Sequence, residues 1–326
     1  MKWRGRRGSD NIEDRRGQSS RPVFRSRLPG GFGSGSGRSR RPGGFDGAGR
    51  RIALPRSRLG MIVLFAVMVI GALSQGGLLD DMGGGMGGGG TGGGGTGLAP
   101  SGGTATLSQT QREAGEFVSV VLADTEEVWA ERFRAELGRP YDPPKLVLFT
   151  GAVRSACGGA TSAAGPFYCP ADRRAYLDTA FFDELSQRLG AEGDFAAAYV
   201  IAHEIGHHVE HELGVLDRAR AAQADAASPD AANAVQVRVE LQADCLAGVW
   251  AMRAQERFGS LEPGDVDEAL NAAARIGDDA LQREAGQVVR PETFQHGTSA
   301  QRRAWFQRGF DGGTIASCDS FADGAL

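Results

Sequence analysis

An uncharged apolar stretch, Leu59–Leu73 (LGMIVLFAVMVIGAL), divides this chain of 326 residues into two parts of opposite charge. With Ser74 to Leu79 added, about 20 residues pass without a charge, roughly the length that crosses a bilayer. Residues 59–79 are therefore expected to form a single transmembrane anchor. A cleaved signal peptide would have a short basic region and an A-x-A site, whereas here the basic region runs to position 58 and no such site follows. A buried soluble helix is not normally set between an arginine-rich arm and a glycine tract.

Residues 1–58 hold 16 Lys+Arg and 4 Asp+Glu, a net of +12, and the rest of the chain holds 20 and 36, a net of −16. The arm is rich in Arg, Gly, Ser and Pro and poor in apolar residues, so it is expected to be disordered. The positive-inside tendency places it in the cytoplasm and sends the C-terminal part outside. Topology control accounts for the basic charge, and nucleic acid is not an expected partner; membrane lipid is, through the anchor. Residues 80–106 read as a flexible glycine-rich linker, and residues 107–326 as the folded domain.

All four cysteines, Cys157, Cys169, Cys245 and Cys318, follow the anchor. An even number in an exported domain suggests two disulfides, for which three connectivities exist. The expected pairs are Cys157–Cys169, closing a short loop, and Cys245–Cys318.

Apolar residues at helical spacing predict one or two helices over Gln109–Leu137. Lys145–Thr150 reads as a buried strand, 151–170 as loop, and Ala175–Phe182 as a second strand entering a turn. Further helices are expected at Asp194–Leu213, from Ser228 to Phe258 with Pro229 in the first turn, and over Asp265–Gln287. The last spans Ser299–Arg308, with Thr298 and Gln301 spaced as a capping box. The fold class is α+β, mostly helical with a small sheet.

The chemistry lies in AAAYVIAHEIGHHVEHEL. His203 and His207 are four apart, one turn of helix, so two imidazoles can grip one Zn²⁺. Glu204 is beside them and serves as the base that takes a proton from a metal-activated water. A catalytic zinc needs a third protein ligand. The downstream His of metzincins is missing, since positions 210 and 213 are Glu and Leu. In VRVELQADCLAGVW, Glu240 and Asp244 share a helix face amid apolar residues. Glu240 is the expected third ligand, ahead of Glu210, Glu212 and Asp217, and Asp244 the acceptor for the free ring N–H of a ligating His. His296, just before the last helix, is a candidate to stabilise the tetrahedral intermediate or else to help cap that helix. Tyr168 and Tyr176 are weaker candidates for the same task, with aromatic packing the commoner fate. His208 and His211 are expected beside the site or on the surface.

HEIGHH followed by ELQADC resembles the bacterial neutral zinc metallopeptidase family, membrane-anchored proteins with a gluzincin-like H-E-x-x-H…E-x-x-x-D site. The opening MKWRGRRGSDNIEDRRG, GPFYCPAD, AYLDTAFF and HGTSAQRRAWFQRGFDGG look like the same family. The resemblance implies a zincin-like domain and a zinc-dependent peptidase outside the cytoplasmic membrane, acting on a peptide or protein. Substrate would lie along an edge strand, for which Tyr176–Phe181 is the candidate. The rival readings are a non-catalytic zincin-fold binding module and a zinc amidase acting on a cell-wall bond. Intact Glu204 weighs against the first, because a structural zinc has no use for it.

Overall fold

The computed structural model describes residues 1–17, 107–322, 324 and 325. Strands β1 (Ile12–Asp14), β2 (Lys145–Phe149), β5 (Phe167–Cys169) and β6 (Arg174–Asp178) form one sheet in the order β1-β2-β6-β5. The first three are parallel, and β5 runs antiparallel to β6. Strands β3 (Ala152–Ser155) and β4 (Gly158–Thr161) make a separate hairpin. The helices are α1 (Gln109–Arg132), α2 (Ala180–Gln187), α3 (Asp194–Glu212), α4 (Val215–Ala224), α5 (Pro229–Phe258), α6 (Asp265–Arg275), α7 (Asp278–Glu284) and α8 (Ser299–Gly312).

Side-chain alternation sorts the sheet's two faces. Leu146, Leu148, Ala175 and Leu177 join the main core with α1, α3 and α5, whereas Val147, Phe149 and Tyr176 pack under the hairpin against Val153 and Ala160. Cys157–Cys169 ties the hairpin turn to β5, and Cys245–Cys318 ties α5 to the C-terminal segment, the two expected pairs.

Local signals set the helix ends that matter for the site. Helix α5 starts at Ser228, whose side chain accepts from the Ala231 N–H, and stops at Gly259 in the left-handed region (φ 60°). Helix α8 carries the full Thr298/Gln301 capping box. Helix α3 has no side-chain cap of its own; Glu268 of α6 accepts from the Phe195 N–H at 3.0 Å instead.

Helices α5 and α8 cross at two glycines. A Cβ at Gly309 would overlap the carbonyl oxygen of Cys245, and one at Gly248 the carbonyl oxygen of Phe306. Backbone cannot yield as a side-chain tip can, so Gly309→Ala must part the helices. A loss of about 1–3 kcal/mol is expected in chemical unfolding. Gly159→Ala, where the nearest neighbour is 4.0 Å away, should stay within about 0.5 kcal/mol. Equal stability of the two variants would contradict the tight crossing.

The first 17 residues correct the expectation of a disordered arm over 1–58. Met1 and Trp3 are buried in the main core, with the Trp3 and Phe117 rings edge to face at 5.4 Å. Arg6 forks onto buried Asp124 at 2.8 and 2.5 Å, and β1 adds an edge to the sheet with Ile12 opposite Leu146. The Met1 ammonium pairs with Asp194 at 2.5 Å, at the start of α3. The folded body therefore includes residues 1–17 as well as the region from Leu107. Composition misled here, because the few apolar residues of the segment are all placed where the domain lacks them. The rest of the arm (18–58), the anchor (59–79) and the linker (80–106) lie outside the described residues. Among the described residues no helix is long and apolar enough to cross a membrane.

Other corrections are local. The 151–170 region holds a hairpin and β5, and the strand expected to run through Phe182 ends at Asp178, with Phe181 and Phe182 on α2. Strand β6 is interior, paired on both sides, so Tyr176–Phe181 offers no edge to a peptide; among the described residues β5 is the edge strand at that end of the sheet. Asp265–Gln287 breaks at Gly277, where a Cβ would overlap Ser299.

Candidate metal centre

Helix α3 enters the core through Phe195–Ala202, all buried, and this fixes the direction of the next turn. Gly206 lies against α5, where a Cβ would meet the Ala243 carbonyl oxygen at 3.0 Å, so the two helices approach closely. The approach brings Glu240 to the histidines. Its Oε2 lies 3.3 Å from His203 Nε2 and 3.8 Å from His207 Nε2, and the three ligand atoms all fall within 4.8 Å of one another. Tetrahedral zinc with bonds of about 2.05 Å keeps its ligand atoms about 3.3 Å apart. Two nitrogens and one carboxylate oxygen at this spacing fit a three-ligand zinc that leaves a position open.

The remaining atoms of the ligands are committed elsewhere. His203 Nδ1 lies 2.9 Å from Asp244, and His207 Nδ1 lies 2.7 Å from Glu210, so each ring has its own carboxylate. A proton held at Nδ1 by a carboxylate leaves the Nε2 lone pair for the metal. Gln236 donates to Glu240 Oε1 at 3.0 Å and leaves Oε2 facing the histidines. Burial opposes ionisation of Glu240, but His207 and His203 outweigh it and hold the carboxyl well below its usual range.

Glu204 is half-buried beside this group and has no side-chain hydrogen bond among the described residues. Burial raises its pKa above the ordinary carboxylate value, against the pull of His203 and His207. A carboxylate made more basic and left unpartnered is suited to accept a proton.

His296 is close enough to Glu240 for each to shift the other's pKa. Its Nδ1 lies 3.0 Å from Asp278 Oδ1 at the start of α7, and Asp278 Oδ2 accepts from the backbone N–H groups of Gln295, His296 and Gly297. Burial works against the imidazolium, but Asp278 and Glu240 prevail and raise its pKa.

The other candidates do not join the ligand atoms. Glu210 is the partner of His207, and burial lifts its pKa to about 7 in spite of that partner. Asp217 is exposed on α4, and Glu212 pairs with Arg139 and Arg173. His208 is buried, with Nε2–H donated to the Asp142 carbonyl at 2.8 Å and Nδ1 accepting from Tyr168 at 2.9 Å. Burial lowers its pKa to about 4, and His211 stacks beside it. Tyr168 is thus occupied by His208 and Tyr176 by Asp172, so both hydroxyls serve the scaffold.

Three residues of the centre escaped the sequence reading in their actual roles. Gln236 and Glu210 were accessible to it, lying four before Glu240 and three after His207 on the same helices. Arg302, which bonds Asp244 from α8, had no signal in sequence spacing.

A sequence profile of the family described as "Putative neutral zinc metallopeptidase" matches residues 1–321. The chain is 43% identical over 321 residues to the uncharacterized protein YpfJ of Escherichia coli strain K12, covering 98% of this chain and 99% of that protein. It is 47% identical over 192 residues to the uncharacterized protein Rv2575 of Mycobacterium tuberculosis strain H37Rv, covering 56% of this chain and 64% of that one. No solved structure matches.

Proposed function

This chain belongs to the neutral zinc metallopeptidase family, and from that premise we propose that it is a zinc-dependent peptidase with a zincin-like catalytic domain. His203, His207 and Glu240 hold the metal. Bound there, zinc supplies Lewis-acid polarisation of a carbonyl and lowers the pKa of a water. Glu204 takes the water's proton and passes it to the leaving amine. His296, oriented by Asp278 at its Nδ1, donates a hydrogen bond to the oxygen that gains charge. Substrate aligns along the edge of β5 as an added strand. The observation that carries this reading is the convergence of three ligand atoms within 4.8 Å next to a basic, unpartnered Glu204. A structural zinc site would need only the first half of it.

The test uses the full-length protein in detergent and a peptide library. Zinc should be found at one per chain, cleavage should stop on chelation, and added zinc should restore it. Cleavage indifferent to chelation would sink the proposal.

For location we propose the oxidising, outer side of the membrane, which two disulfides favour. Residues 1–17 share a core and a sheet with the catalytic domain and so belong on that same side. This changes the topology expected from charge alone, in which residues 1–17 stay in the cytoplasm: with both flanking segments on one side, residues 59–79 would have to anchor the protein without making a single full crossing. Exposed Asp10 and Val288 provide the probes. In intact cells, Asp10→Cys and Val288→Cys should both react with a membrane-impermeant thiol reagent. Labelling of Val288→Cys alone would restore the opposite-sides topology, and labelling of neither would place both inside.

A further inference from the structure

Arg302 is a full charge only 2% exposed, and it projects from α8 toward the back of the metal centre. Its guanidinium forks onto one carboxylate: Nε lies 2.8 Å from Asp244 Oδ2, and Nη2 lies 2.9 Å from Asp244 Oδ1. Nη2 also reaches the Tyr199 hydroxyl at 3.3 Å, and Nη1 the Ile276 carbonyl at 3.2 Å. Asp244 Oδ1 accepts in addition from Tyr199 at 2.5 Å and faces His203 Nδ1 at 2.9 Å. Four donor atoms therefore surround one buried carboxylate.

We propose that Arg302 is a positioning residue for the metal ligand His203, acting through Asp244. The proposal rests on the metal-binding reading of His203 and adds to it a residue of α8.

A buried carboxylate stays ionised only where donors and a cation compensate its lost hydration. Arg302 supplies both, and its planar fork fixes the carboxylate plane as well as its charge. An ionised Asp244 can only accept, so His203 must present Nδ1–H to it and turn the Nε2 lone pair toward Glu240. Arg302 Nη2 is itself 3.5 Å from His203 Nδ1. If Asp244 did not hold the proton at Nδ1, that cationic N–H would favour a bare Nδ1 and shift the ring proton to Nε2, where it blocks the metal. Guanidinium and carboxylate together thus select the ligating tautomer. His207 has a simpler arrangement: Glu210 Oε1 is buried with no hydrogen-bond partner among the described residues. The more fully hydrogen-bonded half of the centre is the half that Arg302 holds.

The test measures zinc affinity by competition with a chromophoric chelator, and the visible spectrum of the Co²⁺-substituted protein, for Arg302→Gln, Asp244→Asn and the double variant. Each single variant should bind zinc about 10–100-fold more weakly, with the same displacement of the cobalt bands. Because both act on one imidazole, the double variant should be no weaker than the worse single variant. Arg302→Lys, which keeps the charge and loses the fork, should fall between wild type and Arg302→Gln. Unfolding of the metal-free proteins identifies any variant that fails to fold; should Arg302→Gln fail, Arg302→Lys carries the test. A folded variant with wild-type affinity and cobalt spectrum overturns the proposal, as do losses that multiply in the double variant. Wild-type protein that binds zinc but cleaves no peptide would refute the peptidase reading and leave this inference standing.

Discussion

Glu204→Gln should retain zinc and lose peptide cleavage by at least about 10²–10⁴-fold, the usual cost of removing a general base. The amide is isosteric and contacts no ligand, so nothing in the metal group needs to move. Glu240→Ala should behave in the opposite order. It removes one of three ligand atoms, and zinc affinity itself should fall, with activity following occupancy. At saturating zinc the Glu240→Ala protein should regain part of its turnover, whereas Glu204→Gln should regain none. The decisive readings are metal content after dialysis and initial rate at fixed zinc. A Glu204→Gln protein that cleaves at the wild-type rate would end the peptidase mechanism. A Glu240→Ala protein with unchanged zinc affinity would remove the third ligand and leave the two histidines.

Deletion of residues 1–17 should unfold the domain or leave it aggregating. The segment buries Trp3 and Met1, each contributing about 1.5–3 kcal/mol, and adds the Arg6–Asp124 pair, whose loss leaves a buried carboxylate without its cation. It also supplies β1, without which the amide edge of β2 is exposed. The combined loss of more than about 5 kcal/mol is comparable with the whole stability of an ordinary domain. Urea unfolding of purified protein with and without the segment would measure it. A protein starting at Leu107 that melts like the full chain would show the segment to be an accessory.

Much of the centre was legible because its parts are local. His203 and His207 lie one turn apart, and Glu240 and Asp244 repeat that spacing on a helix whose Ser228 cap and Pro229 mark its start. The capping box at Thr298 and Gln301 was readable for the same reason. What was hidden depends on long-range pairing. Strands β3 and β4 include Gly158, Gly159 and small residues with little alternation to see, and their place is set by the sheet face they cover. Nothing in AYLDTAFF tells that β2 and β5 flank it, so an interior strand read as an edge. Helix α4 is rich in Ala and Arg and buries only Val215 and Ala219, too little for periodicity to register. The opening segment does show a signal in retrospect: MKWRGRRGSDNIEDRRG is more varied than the Arg/Gly tract after it, and its Met1 and Trp3 are placed in the core.

Arg16 reaches across to the backbone carbonyl of Gln111, so the described residues on either side of 18–106 meet in one neighbourhood. Closing a loop costs entropy that grows only with the logarithm of its length, about 0.6 kcal/mol for each doubling. A connection between these two points can therefore lengthen or shorten at little cost to the described contacts. Selection can fit it to a particular envelope while the domain stays fixed. The same economy suggests a practical graft: a short Gly/Ser bridge from Gly17 to Leu107 would preserve every described contact in a chain about a quarter shorter.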